Sequence, residues 1–351
     1  LVGALARLGI TQNPILPIYR KREVGFVARQ AGTRLLVVPS TWKGFDFEAM
    51  AREIASEVDG LQVLVCDRTL PAGDPATLPP APPTPDDPDD LPVRWLFYTS
   101  GTTADPKGAR HTDATIAAIA RGMGERYEVT EADRGAMVFP FTHIGGITWL
   151  LTGLMFGSAS IMVEAFDPST TIGVLAAEGV TLAGAGTPFH MAYLAAQRAN
   201  PDTPLFPDVR ALPGGGAPKP TGLHDDVKAE MGGVGILSGY GLTEAPILTL
   251  VAVDDPDQKK SDTEGRPMPG VDLRIVTLDG RVAGPNEEGE IQAKAPQLMK
   301  GYLDAALDGD AFDEDGYFRT GDLGEQDEDG YVTITGRLKD IIIRKGENIS
   351  A

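Results

Sequence analysis

Up to about residue 253 the chain alternates short runs of aliphatic and β-branched residues with stretches of helical periodicity. That alternation restricts the fold more than any other property, because strands joined through helices are parallel and need both faces of their sheet covered. Residues 24–31 carry a helical pattern, 35–38 a buried strand, 47–57 a helix and 61–65 a strand. A connector dominated by proline and aspartate, 71–92, interrupts the rhythm. It leads to a strand at 94–97 and to a helix that Asp113 is placed to cap. The pattern then resumes, with strands at 136–139, 159–163, 181–183, 209–212 and 234–237 and helices at 170–178, 188–197 and 221–230. Past Val253 the helical patterns fade. Short strands at 272–277, 289–293 and 331–335, with turns such as Leu278-Asp279-Gly280, point to a small antiparallel barrel or meander.

The expected fold class is therefore α/β: two open α/β subdomains packed together, 1–130 and 131–254, followed by a small antiparallel β-barrel subdomain at 255–338. A length of 351 residues is ample for such cores. With 50 acidic against 31 basic residues the net charge is −19, which argues against a nucleic-acid or anionic-membrane surface. The single cysteine, Cys66, lies in an apolar run, offers neither a disulfide framework nor a metal cluster, and suits a reducing cytoplasmic compartment. No run approaches the roughly 18 apolar residues of a membrane span. Leu1 falls in mid-pattern, so the natural N-terminus is expected to lie upstream, and targeting stays open.

Four segments carry chemistry. The stretch 98–108, Tyr98-Thr99-Ser100-Gly101-Thr102-Thr103-Ala104-Asp105-Pro106-Lys107-Gly108, gathers hydroxyls, glycines and a lysine behind an apolar strand. Such a loop can cradle a polyphosphate through backbone N–H groups, hydroxyl donors and the ammonium, although a plain surface loop has the same composition. It is not a Walker A loop, since glycine rather than Ser or Thr follows the lysine. Gly214-Gly215-Gly216-Ala217-Pro218 ends a strand, where bare backbone lets a flat ring lie close. Gly239-Tyr240-Gly241-Leu242-Thr243-Glu244 offers an aromatic flank, a hydroxyl donor and a hard oxygen ligand suited to Mg2+. Asp322, in Thr320-Gly321-Asp322, and Arg337, in Gly336-Arg337-Leu338-Lys339-Asp340, are candidates for ribose hydroxyls, or else members of surface ion pairs.

In this order, the four segments resemble the adenylate-forming superfamily of acyl-CoA synthetases, adenylation domains and luciferases, over essentially the whole chain. Ala104 departs from it, standing where the family usually has glycine. The resemblance implies that Thr99, Ser100, Gly101, Thr102, Thr103 and Lys107 hold the β- and γ-phosphates of ATP. Gly216, Ala217 and Pro218 would line the adenine, with Tyr240 on its other face and Gly241 beside it. Thr243 would contact the α-phosphate, Glu244 would hold Mg2+, and Asp322 and Arg337 would bind the ribose. His143 would gate the carboxylate, in an acyl pocket with Ile144, Gly145, Gly146, Gly184, Gly186 and Gly239. The catalytic set so implied is Lys107, His143, Thr243 and Glu244. Lys339 would be the hinge to a C-terminal lid domain, with 339–351 its start. The lysine that the lid contributes has no counterpart here, so this chain is expected to bind ATP and adenylate weakly.

The chemistry implied is attack of a carboxylate on the α-phosphorus of Mg-ATP, then displacement of AMP by the thiol of CoA. Phe141, Thr142, Ile144, Gly145, Gly146 and Ile147 are uncharged, which disfavours an amino acid with a buried ammonium and favours a fatty, alicyclic or other ring-bearing acid. Two other readings stand beside acyl-CoA synthesis: a fatty-acyl-AMP ligase or stand-alone adenylation domain loading a carrier protein, and a non-catalytic nucleotide-binding module. A homodimer is one assembly left open.

Overall fold

A computed structural model describes residues 1–87, 90–99 and 105–338, and the backbone of the strands Ile341–Arg344 and Glu347–Ser350. The chain divides into two compact units, Leu1–Asp113 with Met299–Leu307, and Ala114–Leu298 with Asp308–Ala351.

In the first unit the aliphatic run Leu35–Val38 pairs in parallel with Gln62–Val65, in the register Leu35 to Gln62. The helix between them, Phe47–Glu57, starts where the Asp46 carboxylate accepts the Ala49 N–H at 2.8 Å. That bond satisfies one of the helix's orphan donors. Val24 and Ala28 of the helix Lys21–Gln30 join Leu36, Val38, Phe47, Met50 and Ile54 in one apolar core. The strand Val93–Thr99 runs further than expected and is paired antiparallel with Lys107–Thr112, a strand the sequence reading did not foresee. At its foot the Trp95 indole donates to the Asp113 carboxylate at 2.8 Å. The connector 71–87 is largely exposed and holds one 3-10 turn, Pro75–Thr77.

The second unit contains the other parallel sheet. Arg134–Met137 pairs with Ala159–Met162 on one side, and on the other side Gly135 bridges Leu182, which bridges Ala211. Leu212–Pro213 then pairs in parallel with Ile236–Leu237. The strands expected at 181–183 and 209–212 thus shrink to single bridges and two residues. Helices Pro168–Ala177, Thr187–Ala199 and Leu223–Glu230 bury Leu175, Tyr193, Leu194 and Val227 with Ile161, Leu212 and Ile236 of the sheet. The Tyr193 hydroxyl, deep in that core, donates to the Gly184 carbonyl at 2.9 Å.

This unit also contains a three-stranded antiparallel sheet, Gly239–Tyr240, Thr249–Leu250 and Arg266–Pro267, and a four-stranded antiparallel meander in chain order: Asp272–Val276, Gly289–Lys294, Phe318–Gln326 and Val332–Arg337. Among the described residues the four-stranded sheet is open, so of the barrel or meander expected from the sequence the structure has the meander, and the β-barrel subdomain assigned to 255–338 is corrected to it. Its first and last strands are not paired with one another. Two short helices, Asp257–Asp262 and Asp308–Ala311, also appear where helical patterns had faded. No helix among the described residues is long and apolar enough to cross a membrane.

Candidate functional site

The phosphate-loop residues belong to the first unit. Ser100, Gly101, Thr102 and Thr103 lie outside the described residues, as does Lys339. Thr99 and Lys107 stand opposite one another, so the described flanks of the loop are two paired antiparallel strands rather than a strand and a helix. Lys107 is exposed, and its Nζ lies 5.4 Å from the centroid of the Tyr302 ring. Gly108 faces Tyr98 across the pair, and a Cβ there would come within 2.9 Å of the Tyr98 ring. The tyrosine ring therefore lies over the bare backbone of Gly108, and a side chain there would displace it. Its hydroxyl donates to Gln30 Oε1 at 2.9 Å, and burial pushes its pKa up to about 12.

The remaining motif residues belong to the second unit, where two glycine segments meet. The Gly214 N–H donates to the Leu237 carbonyl at 2.9 Å, and the Gly239 N–H returns a bond to the Gly214 carbonyl at 3.1 Å. Parallel pairing thus continues past the strand ends and lays 214–218 beside Gly239 and Tyr240. A Cβ on Gly215 would lie 2.7 Å from the Gly239 carbonyl, so this approach needs a bare backbone. Gly216, Ala217 and Pro218 are exposed, and the Thr187 hydroxyl donates to the Pro218 carbonyl at 3.2 Å. Gly241 is held as tightly from within, since a Cβ would meet the Ile247 nitrogen at 2.2 Å.

Tyr240 is buried, and its hydroxyl donates to Asp322 Oδ2 at 2.8 Å across 82 residues of chain. Burial first, and then the Asp322 charge, push the phenol pKa upward, so it stays a donor at neutral pH. Asp322 is the direct cross-strand partner of Arg337, whose Nε lies 3.0 Å from Asp322 Oδ1. Asp322 is 7% exposed while the arginine side chain is 57% exposed. The result is a fixed carboxylate with a donor on each side. Thr320 steadies the turn, accepting the Asp322 N–H at 3.1 Å and donating to the Ile291 carbonyl at 2.7 Å. Thr243 is half-buried, and Glu244 is buried at 8% exposure. No group of three or more His, Cys, Asp or Glu among the described residues could hold a metal ion.

His143 is the N-cap of a helix the sequence reading missed, Ile144–Phe156. Its Nδ1 accepts the Gly145 N–H at 3.1 Å, so in the neutral ring Nε2 carries the proton. The imidazole itself is exposed. Of the residues expected to line an acyl pocket, Ile144 is buried at 4% exposure. Gly146 packs against backbone, where a Cβ would lie 2.6 Å from the Pro140 carbonyl; Gly186 would meet the Gly215 carbonyl at 2.8 Å, and Gly239 the Thr249 carbonyl at 2.9 Å. A Cβ on Gly145 would meet the Phe139 ring at 3.1 Å, whereas on Gly184 it would make only ordinary contacts from 3.6 Å outward. Most of these glycines thus serve close packing rather than open space. His190 and His224 are buried and bonded to backbone: His190 Nε2 lies 3.0 Å from the Pro213 carbonyl, and burial brings its pKa down to about 4.

The profile of a family described as AMP-binding enzyme matches residues 1–303. Sulfoacetate–CoA ligase of Cupriavidus necator is 32% identical over 100% of this chain and 67% of its own length. Medium-chain fatty-acid–CoA ligase of Escherichia coli is 29% identical over 99% of this chain and 62% of its own. ATP-bound MatB from Rhodopseudomonas palustris superposes with a TM-score of 0.84 at 25% identity, covering 100% of this chain and 68% of that one. The chain thus spans about two thirds of the length of the relatives it matches, 67% and 62% for the two ligases.

Proposed function

The chain belongs to the AMP-binding enzyme family, and from that premise we propose that it activates a carboxylic acid with ATP and passes the acyl group to a thiol. A carboxylate oxygen attacks the α-phosphorus, the bond to the β-phosphate oxygen breaks, and pyrophosphate leaves. The thiol sulfur of CoA then bonds to the acyl carbon, AMP leaves with the carboxyl oxygen, and a thioester remains. Both steps develop charge on oxygen, so they call for fixed donors and cations rather than a protein nucleophile.

The observation that carries this reading is the Asp322 carboxylate, held between Tyr240 and Arg337 in the unit where 214–218 lies beside Tyr240. A buried, oriented carboxylate suits the paired hydroxyls of a ribose, and the exposed Gly216, Ala217 and Pro218 suit the face of an adenine. Thr99 and Lys107 would hold the β- and γ-phosphates with Ser100, Gly101, Thr102 and Thr103. Thr243 would donate to the α-phosphate, and Gly241, packed against the Ile247 backbone, would keep that segment in place. Glu244 fits a Mg2+ that draws its other ligands from phosphates and water: it is a buried hard oxygen donor, and the described residues hold no carboxylate cluster to build a closed cage. Bound there, the ion would neutralise phosphate charge. His143, its Nδ1 engaged by the helix, would present Nε2 as a donor to the acid. The surroundings of His143 contain no charged residue from Phe141 to Ile147 apart from itself, which supports a fatty, alicyclic or aromatic acid over an amino acid.

Incubating the enzyme with Mg-ATP and a panel of carboxylic acids, with and without CoA, tests the reading. Pyrophosphate release that depends on the acid, with acyl-CoA forming only when CoA is present, is expected. ATP binding without acid-dependent pyrophosphate release would reduce the protein to a nucleotide-binding module. One relative, salicyl-AMP ligase / salicyl-S-ArCP synthetase of Mycobacterium tuberculosis, is 30% identical over 99% of this chain and favours a second reading, transfer to a carrier protein. A pantetheinylated carrier that accepts the acyl group where CoA does not would select it.

A further inference from the structure

Lys219 follows Pro218 directly and belongs to none of the motifs above. Its side chain is half-buried, and its ammonium donates to Ser238 Oγ at 3.1 Å and to the Lys260 carbonyl. Ser238 is 3% exposed and is the residue immediately before Gly239-Tyr240. One cation therefore ties the end of the loop 214–218 to the start of the Tyr240 segment and to the helix Asp257–Asp262. At the loop's other end, Gly214 is fixed by its two backbone bonds to Leu237 and Gly239. Gly216, Ala217 and Pro218 are left exposed between two anchors, one of backbone and one of side chain. Removing an ammonium from water is unfavourable, and burial does depress the Lys219 pKa, while the charges of Glu264, Asp262 and Asp225 act the other way.

We propose that Lys219 is a positioning residue for nucleotide binding, holding the adenine-lining loop at a set distance from Tyr240. The proposal rests on the reading that 216–218 and Tyr240 flank the adenine. Loss of the ammonium would let the loop drift from the tyrosine, weakening the grip on the base and leaving the phosphate-loop residues as they are. Lys219→Met keeps the length and removes the donors, and Ser238→Ala removes one acceptor while keeping the cation.

The test measures AMP and pyrophosphate affinity separately by calorimetry, alongside the thermal midpoint, for wild type, both single variants and the double variant. A charge-assisted hydrogen bond is worth enough for about a tenfold loss of AMP affinity in Lys219→Met. Ser238→Ala should lose a smaller factor, and the double variant should lose no more than Lys219→Met. Pyrophosphate affinity should be unmoved in all three. A lowered midpoint with unchanged AMP affinity would make Lys219 purely structural and overturn the proposal, as would equal losses for AMP and pyrophosphate. Should Lys219→Met fail to fold, Ser238→Ala decides alone: unchanged AMP affinity there sinks the idea. A wild type that binds no AMP would overturn the site assignment beneath it, a result distinct from the others.

Discussion

Truncating Asp322 to alanine removes the acceptor of the Tyr240 hydroxyl and the partner of Arg337 together. The two losses differ in size. Arg337 is 57% exposed and returns to water, so its share is at most about 1 kcal/mol. Tyr240 is buried, and a buried hydroxyl left without an acceptor costs about 1–3 kcal/mol. Asp322→Ala should therefore destabilise the protein by about 1–4 kcal/mol. Tyr240→Phe, which deletes the donor and keeps the ring, should lose only about 1 kcal/mol. In the double variant the orphaned hydroxyl is gone, so the combined loss should fall short of the sum by about 1–2 kcal/mol. Urea unfolding of the four proteins, with AMP affinity measured in parallel, supplies the cycle. Additive losses would show that the Tyr240–Asp322 bond is not an energetic unit. AMP affinity undiminished in a folded Asp322→Ala protein would refute its assignment to the ribose.

Three further outcomes are expected. Gly241→Ala should lower the urea midpoint by the equivalent of about 1–3 kcal/mol, because its Cβ would meet the Ile247 nitrogen at 2.2 Å; a wild-type midpoint would contradict that packing. His190 stays neutral in the folded protein down to about pH 4, whereas the unfolded chain protonates near 6.5, so its contribution to stability is lost as pH falls through that window. Between pH 6.5 and 5 wild type should lose about 2 kcal/mol more than His190→Asn, a comparison that cancels the opposite trend of Glu264, whose carboxyl burial raises to about 7; parallel curves would refute it. Lys107→Ala should leave the thermal midpoint nearly unchanged, given its exposure and an aromatic contact of about 0.5–1 kcal/mol, while lowering kcat/KM for ATP by about 100-fold; an active variant would remove it from the phosphate site.

Much of this was legible because local chemistry and tertiary role agree. The helix Phe47–Glu57 has an aspartate cap and a regular apolar face, and the strand Leu35–Val38 is a short aliphatic run of the kind a parallel sheet buries. The helix Ile144–Phe156 was illegible for the opposite reason: it is apolar nearly all round and has three glycines, so no stripe marks its buried face, and its cap is a histidine. Lys107–Thr112 reads as polar sequence, and only its pairing with Val93–Thr99 makes it a strand. The strands at 181–183 and 209–212 dwindled because their short apolar segments satisfy the sheet through single bridges at Leu182 and Ala211. Within the candidate site, residue types showed in the sequence and their alliances did not. Nothing local joins Tyr240 to Asp322 or Lys219 to Ser238, since both bonds are products of tertiary packing. Gly145-Gly146 suggested open space, whereas at Gly146 the missing side chain is used by the neighbouring backbone.

The most direct measurement is calorimetric titration of the protein with acyl-adenylate mimics, in which a sulfamate replaces the phosphate, set against AMP alone. Fatty, alicyclic and aromatic mimics should bind more tightly than AMP, the aminoacyl mimic should gain nothing, and Asp322→Ala should abolish the tight binding. Equal affinity for AMP and every mimic would contradict the account, because the nucleotide would then be bound with no place for an activated acid.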